Sequence, residues 1–588
     1  MSEALLPAGW PAMSIDAAHA ILTGPGLPTE MDEVEIRGIR TKVWKNLPPT
    51  LRSVVEASRA HGEKIFLVYE DERVSFEAFH RAVANFAAEL TAQGVVKGDR
   101  VSVIMRNLPE WVVVFYAAAS VGAVVTPLNA WWTGPELEYG LTDSGTKVLI
   151  VDRERYERVA ERLPNCRDLV RVYVSRERDE IAHPLVTKLE SVIGAPATWK
   201  DLPDIALPAV EIGPEDDATI FYTSGTTGKP KGALATHRGV NSNIAAAICG
   251  SARSFLRRGE QPPVPDPNAP QRASLLSVPF FHVTGCFAVL NPTMFGGGKM
   301  VMMRKWEAIR AFELIERERV TLAGGVPTIA WQLIEHPARA NYDLSSLESV
   351  AYGGAPSAKE LVVALKKTFP NSVPGQGWGM TETCATVTGN GAEDYINRPE
   401  SCGVAVPVSK LEIRDPADGV TVLPVGEVGE LWCNGPQMMK GYWNKPEATA
   451  QTLVNGWVRT GDLAKLDAEG FCFIIDRAKD MLIRGGENIY CIEVENALYD
   501  HPAVMDAAVV GIPHRTLGEE PGAVVTLKPG AHATEAELRA HVAERLAAFK
   551  VPIAVKFWPE VLPRNANGKI MKNELKKLFE AEAAASAV

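Results

Sequence analysis

Residues 222–233, from Tyr222 to Ala233, read YTSGTTGKPKGA and follow the strand-like end Thr219–Phe221. Gly225, Gly228 and Gly232 let the backbone turn tightly and approach an anion. Thr223, Ser224, Thr226 and Thr227 supply hydroxyl donors, and Lys229 and Lys231 supply charge. A strand running into such a loop is the chemistry of a polyphosphate cradle. The spacing G-x-x-x-x-G-K-[ST] is absent, so the loop is not a Walker A motif. A bare glycine-rich turn would ordinarily be read as solvated; this density of hydroxyls and ammonium groups points to phosphate.

Outward from the loop, helix-like and strand-like segments alternate. Ser75 is placed to cap an amphipathic helix through Leu90. Val101–Met105 reads as a buried strand, a helix follows from Pro109, and Val124–Pro127 and Lys147–Val151 read as further strands with a polar helix near Glu136 between them. Such alternation predicts an α/β fold with mostly parallel sheets. The run Val112–Val125 is too short to span a bilayer and reads as a buried helix entering a strand. Gly259–Gln271 is proline-rich and predicts an exposed excursion. Asp415–Gly429 is turn-rich and sits inside a predicted small β-rich subdomain over residues 400–475. Beyond Asp476 come a strand pair within Met481–Ile489, a helix from about Ile492, strands at Val504–Val510 and Ala523–Leu527, and a Thr534/Glu537 capping box opening a helix to about Phe549.

The 588-residue chain is long enough for several structural units. Its 61 Lys+Arg against 72 Asp+Glu give a net charge of −11, which argues against nucleic acid or anionic lipid as a chain-wide partner. No basic n-region with an apolar core opens the chain, so neither a secretory signal nor an integral membrane segment is expected. The 8 cysteines stand singly, without a C-x-x-C pair, which favours a reducing cytoplasm over a disulfide or zinc framework.

Five further motifs follow in order: Tyr352–Pro356 (YGGAP), Gly377–Thr383 (GWGMTET), Thr460–Leu463 (TGDL), Asp476–Gly486 (DRAKDMLIRGG) and Pro563–Lys569 (PRNANGK). Together with the phosphate loop, this series resembles the signature of the adenylate-forming superfamily: acyl-CoA synthetases, luciferases and peptide-synthetase adenylation domains. The resemblance runs from residue 222 to residue 569 and is nearest to a fatty- or aryl-acyl-CoA synthetase.

The resemblance implies a two-step reaction. A carboxylate attacks the α-phosphate of ATP to give acyl-adenylate and pyrophosphate, and a thiol, that of coenzyme A, then displaces AMP. It assigns the adenine turn to Gly353, Gly354 and Ala355, and a second nucleotide wall to Gly377, Trp378, Gly379 and Met380. Thr381 would reach the α-phosphate, Glu382 would hold Mg²⁺, Asp462 would accept the ribose hydroxyls, and Arg477 would bind ribose or phosphate. Lys569 would stabilise charge at the α-phosphate. His282, in PFFHVTG, would sit beside the carboxylate pocket, with Phe281, Val283, Trp331 and Tyr352 as apolar lining. Lys572, Lys576 and Lys577 read instead as the exposed face of the last helix.

The implied organisation is an N-terminal extension over 1–50, an ATP- and acid-binding adenylation domain over 51–475, and a mobile α+β C-terminal domain over 476–588. Lys479 would be the hinge between two domain positions, and Arg484, Gly485 and Gly486 would meet coenzyme A. A peptide-synthetase-type enzyme would carry an acidic partner for an α-amino group, which FFHVTGCF from Phe280 lacks. A carrier protein as acceptor and a luciferase-like oxygenase are the alternatives. The expected acid is a medium-chain fatty or aromatic one.

Overall fold

The computed structural model describes residues 6–586 except 8, 224–228, 265, 267, 355–358, 478–479, 485–486, 515 and 566–568. Among these residues the fold rests on two large sheets. The first, of eight strands, runs from edge to edge as Gly441–Tyr442, Gly232–Thr236, Asp217–Tyr222, Val124–Pro127, Arg100–Ile104, Thr146–Asp152, Arg171–Ser175 and Val186–Lys188. It is parallel except where Gly232–Thr236 pairs antiparallel with both of its neighbours. The second, of nine strands, has a parallel centre at Ala273–Leu276, Leu322–Gly325, Ser349–Gly353 and Val373–Met380, with antiparallel partners toward both edges. The α/β alternation read from the sequence is this pair of sheets with their helices.

Local chemistry explains why the elements start where they do. Ser75 accepts a hydrogen bond from the Ala78 N–H and caps Phe76–Ala92. Thr133 and Glu136 form a capping box before Gly134–Ser144. The apolar run becomes helix Pro109–Ser120, wholly buried, and strand Val124–Pro127. A helix with no polar face must be covered on all sides. It lies in the main core with Phe66, Phe79 and Phe280, and Trp111 stacks on Phe280 at 4.9 Å.

The β-rich subdomain is a smaller antiparallel sheet in which Trp457–Leu466 pairs with both Gly429–Asn434 and Cys472–Arg477. The C-terminal part has its own sheet and core. Its hairpin Val504–His514/Gly518–Leu527 is longer than expected, because antiparallel pairing continues in register through Gly511–His514. A parallel strand, Ala554–Phe557, was missed because four residues carry too little pattern. The helix from the Thr534 cap ends at Ala543, not near Phe549; a separate short 3₁₀ turn covers Ala548–Lys550. No helix among the described residues is long and apolar enough to cross a membrane.

Candidate active site

The carboxyl ends of the second sheet's central strands open onto a largely apolar cavity of about 220 Å³. Open α/β sheets bind ligands at such strand ends. One wall is Tyr352, Gly353, Gly354, Gly377, Trp378 and Gly379, the two motif turns that resembled nucleotide contacts. Parallel pairing of Ser349–Gly353 with Val373–Met380 sets Gly353 opposite Gly377. A Cβ on Gly353 would come within 2.7 Å of the Gly377 carbonyl oxygen, so glycine is what lets the two turns close up. Gly354 has φ 74°, a backbone conformation that side chains disfavour.

The opposite wall comes from strand ends Leu275–Val278 and Leu322–Gly325 and from the segment after His282. That segment, Thr284–Leu290, is a π-helix, a rare form that concentrates at functional sites. The His282 Nδ1 accepts from the Thr284 N–H at 3.3 Å. Burial pushes the His282 imidazole down to about 3, and the Lys569 ammonium adds to this. His282 is therefore neutral at ordinary pH, and Lys569 is close enough for its charge to act on it. The loop is pinned by the Asn565 N–H to the Lys569 carbonyl (2.9 Å) and by the Lys569 N–H to Asn565 Oδ1 (3.1 Å).

Trp378 Nε1 donates to Asp462 Oδ2 at 2.9 Å, and Arg477 Nε lies 3.3 Å from Asp462 Oδ1. Asp462 and Arg477 face each other in register on neighbouring strands. An ionised carboxylate has about four acceptor positions, so Asp462 retains capacity for further donors. Trp378 thus orients the carboxylate as well as lining the cavity, which the motif alone did not indicate.

Glu382 is buried, and its Oε1 accepts from the Tyr442 hydroxyl at 2.7 Å. The Met439 N–H donates to its carbonyl at 2.9 Å. Thr381 and Glu382 occupy one 3₁₀ turn, directly after Met380 ends its strand. Lys231 Nζ lies 4.4 Å from the Tyr442 ring centroid, and Lys229 Nζ lies 4.8 Å from that of Tyr139. The Thr223 N–H donates to the Lys231 carbonyl at 2.9 Å and closes the base of the phosphate loop. Ser224, Gly225, Thr226, Thr227 and Gly228 lie outside the described residues, as do Ala355, Lys479, Gly485 and Gly486. Arg484 is paired with Glu520 at 2.9 Å.

The expected acid lining is only partly assembled. Val283 and Tyr352 line the cavity; Phe281 and Trp331 do not. Helix Pro327–Glu335 buries Ile329, Ala330 and Leu333, which turns Trp331 to another face, where Lys528 Nζ stands 5.9 Å from its ring. The Tyr352 hydroxyl pairs with Tyr395 at 2.6 Å, so its ring serves the wall. Lys572 is not a solvated surface lysine: its ammonium lies 2.7 Å from Glu495, which holds it charged against the cost of burial. The sequence reading also missed Tyr442, whose motif KGYWNKP it passed over, and the wall at Ser277, Gly324 and Gly325. The paired glycines between a strand and Pro327 were the available signal.

Comparisons with known proteins find relatives along most of the chain. The family model described as "AMP-binding enzyme" matches residues 54–443, and "AMP-binding enzyme C-terminal domain" matches residues 493–569. A long-chain-fatty-acid–CoA ligase of Bacillus subtilis (strain 168) is 34% identical over 551 residues, covering 90% of this chain and 94% of that protein. A feruloyl-CoA synthase of Amycolatopsis sp is 36% identical over 507 residues, covering 86% and 94%. Among solved structures, the anthranilate CoA ligase AuaEII in complex with anthranoyl-AMP superposes with a TM-score of 0.79 at 26% identity, covering 91% of this chain and 98% of that one.

Proposed function

The chain belongs to the AMP-binding enzyme family, and on that premise we propose that it is an AMP-forming acid–thiol ligase. It would activate an apolar carboxylic acid, medium-chain fatty or aromatic, as acyl-adenylate and pass the acyl group to coenzyme A. The observation that carries this reading is one continuous cavity. Its glycine-built wall suits a nucleotide and its aliphatic wall suits an apolar acid; His282 directly precedes the lining residues Val283 and Thr284 and lies within reach of the Lys569 charge.

In this reading the acid's carboxylate lies near neutral His282, which can orient it through a hydrogen bond without adding charge. Lys569 supplies the positive charge that the first half-reaction needs as negative charge gathers at the α-phosphate. Asp462, set by Trp378 and Arg477, takes the ribose hydroxyls. Apolar walls keep water from the adenylate.

Glu382 suits magnesium: it is one buried carboxylate whose Oε1 is fixed by Tyr442, and among the described residues nothing donates to its Oε2. Magnesium commonly takes one or two carboxylates plus substrate phosphates and waters. Bound there, the ion would neutralise phosphate charge as a Lewis acid.

We further propose that the part from 476 onward turns between half-reactions about Lys479, exchanging Lys569 for the Arg484–Gly486 hairpin. The test is pyrophosphate exchange over a panel of acids, followed by titration with coenzyme A. Exchange should rise with apolar size to a steric limit, and coenzyme A should release AMP. Best activity on acetate or on an α-amino acid would overturn the acid class, and turnover independent of coenzyme A would overturn the acceptor.

A further inference from the structure

Residues 31–44 precede the stretch matched by the AMP-binding family model. They form a two-stranded hairpin, Met31–Ile36 with Ile39–Trp44, in continuous register from Met31↔Trp44 to Ile36↔Ile39. The tip residues Arg37 and Gly38 have φ values of 51° and 80°. This is the two-residue primed turn that suits the twist of a hairpin. Glycine enters that backbone region without cost; arginine does so only against its intrinsic preference. Such a residue invites the question of what its side chain holds.

Arg37 reaches across the molecule to the segment that brackets Glu382. Its Nη1 donates to the Met439 carbonyl at 3.0 Å and its Nη2 to the Met438 carbonyl at 3.3 Å. Three residues on, Tyr442 donates to Glu382 Oε1, and the Met439 N–H itself donates to the Glu382 carbonyl. The hairpin is also seated on the β-rich subdomain, where a Cβ on Gly456 would come within 2.5 Å of Ile39 Cδ1. The guanidinium presents two donors in a fixed fork, which a lysine ammonium cannot reproduce.

We propose that Arg37 is a positioning residue for Glu382: it fixes the Met438–Tyr442 segment so that the Met439 N–H holds the Glu382 backbone and Tyr442 holds its carboxylate in the metal-binding orientation. The N-terminal hairpin is then part of the first half-reaction's machinery. The proposal rests on the reading of Glu382 as the magnesium ligand. Partners that orient a metal ligand from behind typically contribute 10- to 100-fold to metal affinity or activity.

The test uses the full chain and its Arg37→Ala, Arg37→Lys, Arg40→Ala and Glu382→Gln variants. Among the described residues Arg40 pairs only with Glu33, at the exposed side of the hairpin, and it serves as the control. Pyrophosphate exchange is titrated with magnesium, and thioester formation is measured separately from supplied acyl-adenylate. Arg37→Ala should need about 10-fold more magnesium for half-maximal exchange while making thioester at the wild-type rate. Arg37→Lys should recover part of the loss, and Arg40→Ala should match wild type.

An unchanged magnesium dependence in Arg37→Ala, or equal loss in both half-reactions, would overturn the proposal. Should Arg37→Ala fail to fold, Arg37→Lys carries the same reading through its magnesium titration. Glu382→Gln separates the two claims. If it retains wild-type magnesium dependence, the reading of Glu382 fails. If it loses exchange while Arg37→Ala and Arg37→Lys are unaffected, only the role of Arg37 fails.

Discussion

The Tyr442 hydroxyl donates to Glu382 Oε1 at 2.7 Å although the two residues are 60 positions apart in sequence. The contact exists because Gly441–Tyr442 pairs with Gly232–Thr236 at the edge of the first sheet, while Glu382 lies in the 3₁₀ turn that directly follows a strand of the second. One hydrogen bond therefore joins the two sheets at the carboxylate proposed to hold magnesium. Burial and the Glu382 charge raise the Tyr442 phenol above its ordinary range, so it stays protonated and remains a donor.

Tyr442→Phe keeps the ring beneath Lys231 and removes only the donor. Pyrophosphate exchange should fall about 10-fold, as for loss of a partner that orients a metal ligand. The melting temperature should move by a few degrees at most. Exchange at the wild-type rate in a folded Tyr442→Phe protein would show that Glu382 needs no such support.

Glu382→Gln preserves size and removes the charge. Adenylation should fall by at least two orders of magnitude with the fold intact. Chelation of magnesium should abolish wild-type exchange, and added magnesium should restore it. Undiminished turnover of the variant would take Glu382 out of the reaction.

Lys569→Ala should divide the two half-reactions. On the proposed reading the ammonium acts while charge builds at the α-phosphate, so its contribution would belong to the adenylation transition state. Exchange should drop by orders of magnitude, whereas thioester formation from supplied acyl-adenylate should stay near normal. Comparable loss in both would mean a static site without domain exchange.

Ala288 lies on the π-helix and lines the cavity. Ala288→Leu adds three carbons to the wall. It should lower kcat/KM for the largest accepted acids and spare the smaller ones, since each excluded CH₂ forfeits about 0.8 kcal/mol of burial. A uniform loss across the acid panel would place the acyl chain elsewhere.

His237 gives a pH prediction. Burial pushes its imidazole down to about 4, and its Nδ1 accepts from the Leu51 N–H at 3.1 Å. The unfolded chain takes up this proton near 6.5, above the folded value. Stability should therefore be complete above about pH 6.5 and fall as pH drops toward 4, by about 1.4 kcal/mol per unit for this one group. His19 and His282, both pushed down to about 3, act in the same direction. His237→Asn keeps an acceptor for Leu51 but cannot titrate, so its stability–pH slope between 6 and 4 should be shallower by one proton. Denaturant titrations at each pH would measure it, and an unchanged slope would mean that His237 is charged in the fold.

Much of this protein was legible in the linear chain. Alternating apolar and amphipathic segments, with Ser75 and Thr534 as caps, announced an α/β fold, because a hydrophobic period of two or of 3.6 is a local property. The motif glycines and the residues Glu382, Asp462 and Lys569 stood in short segments whose chemistry is local too. Other features depend on which strands become neighbours. The Tyr442–Glu382 and Trp378–Asp462 hydrogen bonds join segments 60 and 84 residues apart, and the Arg37 contact to Met439 spans 402. Trp331 looked like acid pocket because it is apolar and aromatic, but its helix turns it away from the cavity. Lys572 looked solvated because most lysines are, yet the fold sets it against Glu495. Composition and spacing determine which elements form and which side chains can do chemistry. Which of those side chains meet is decided by sheet order and register, and these are set by long-range packing that no window of sequence contains.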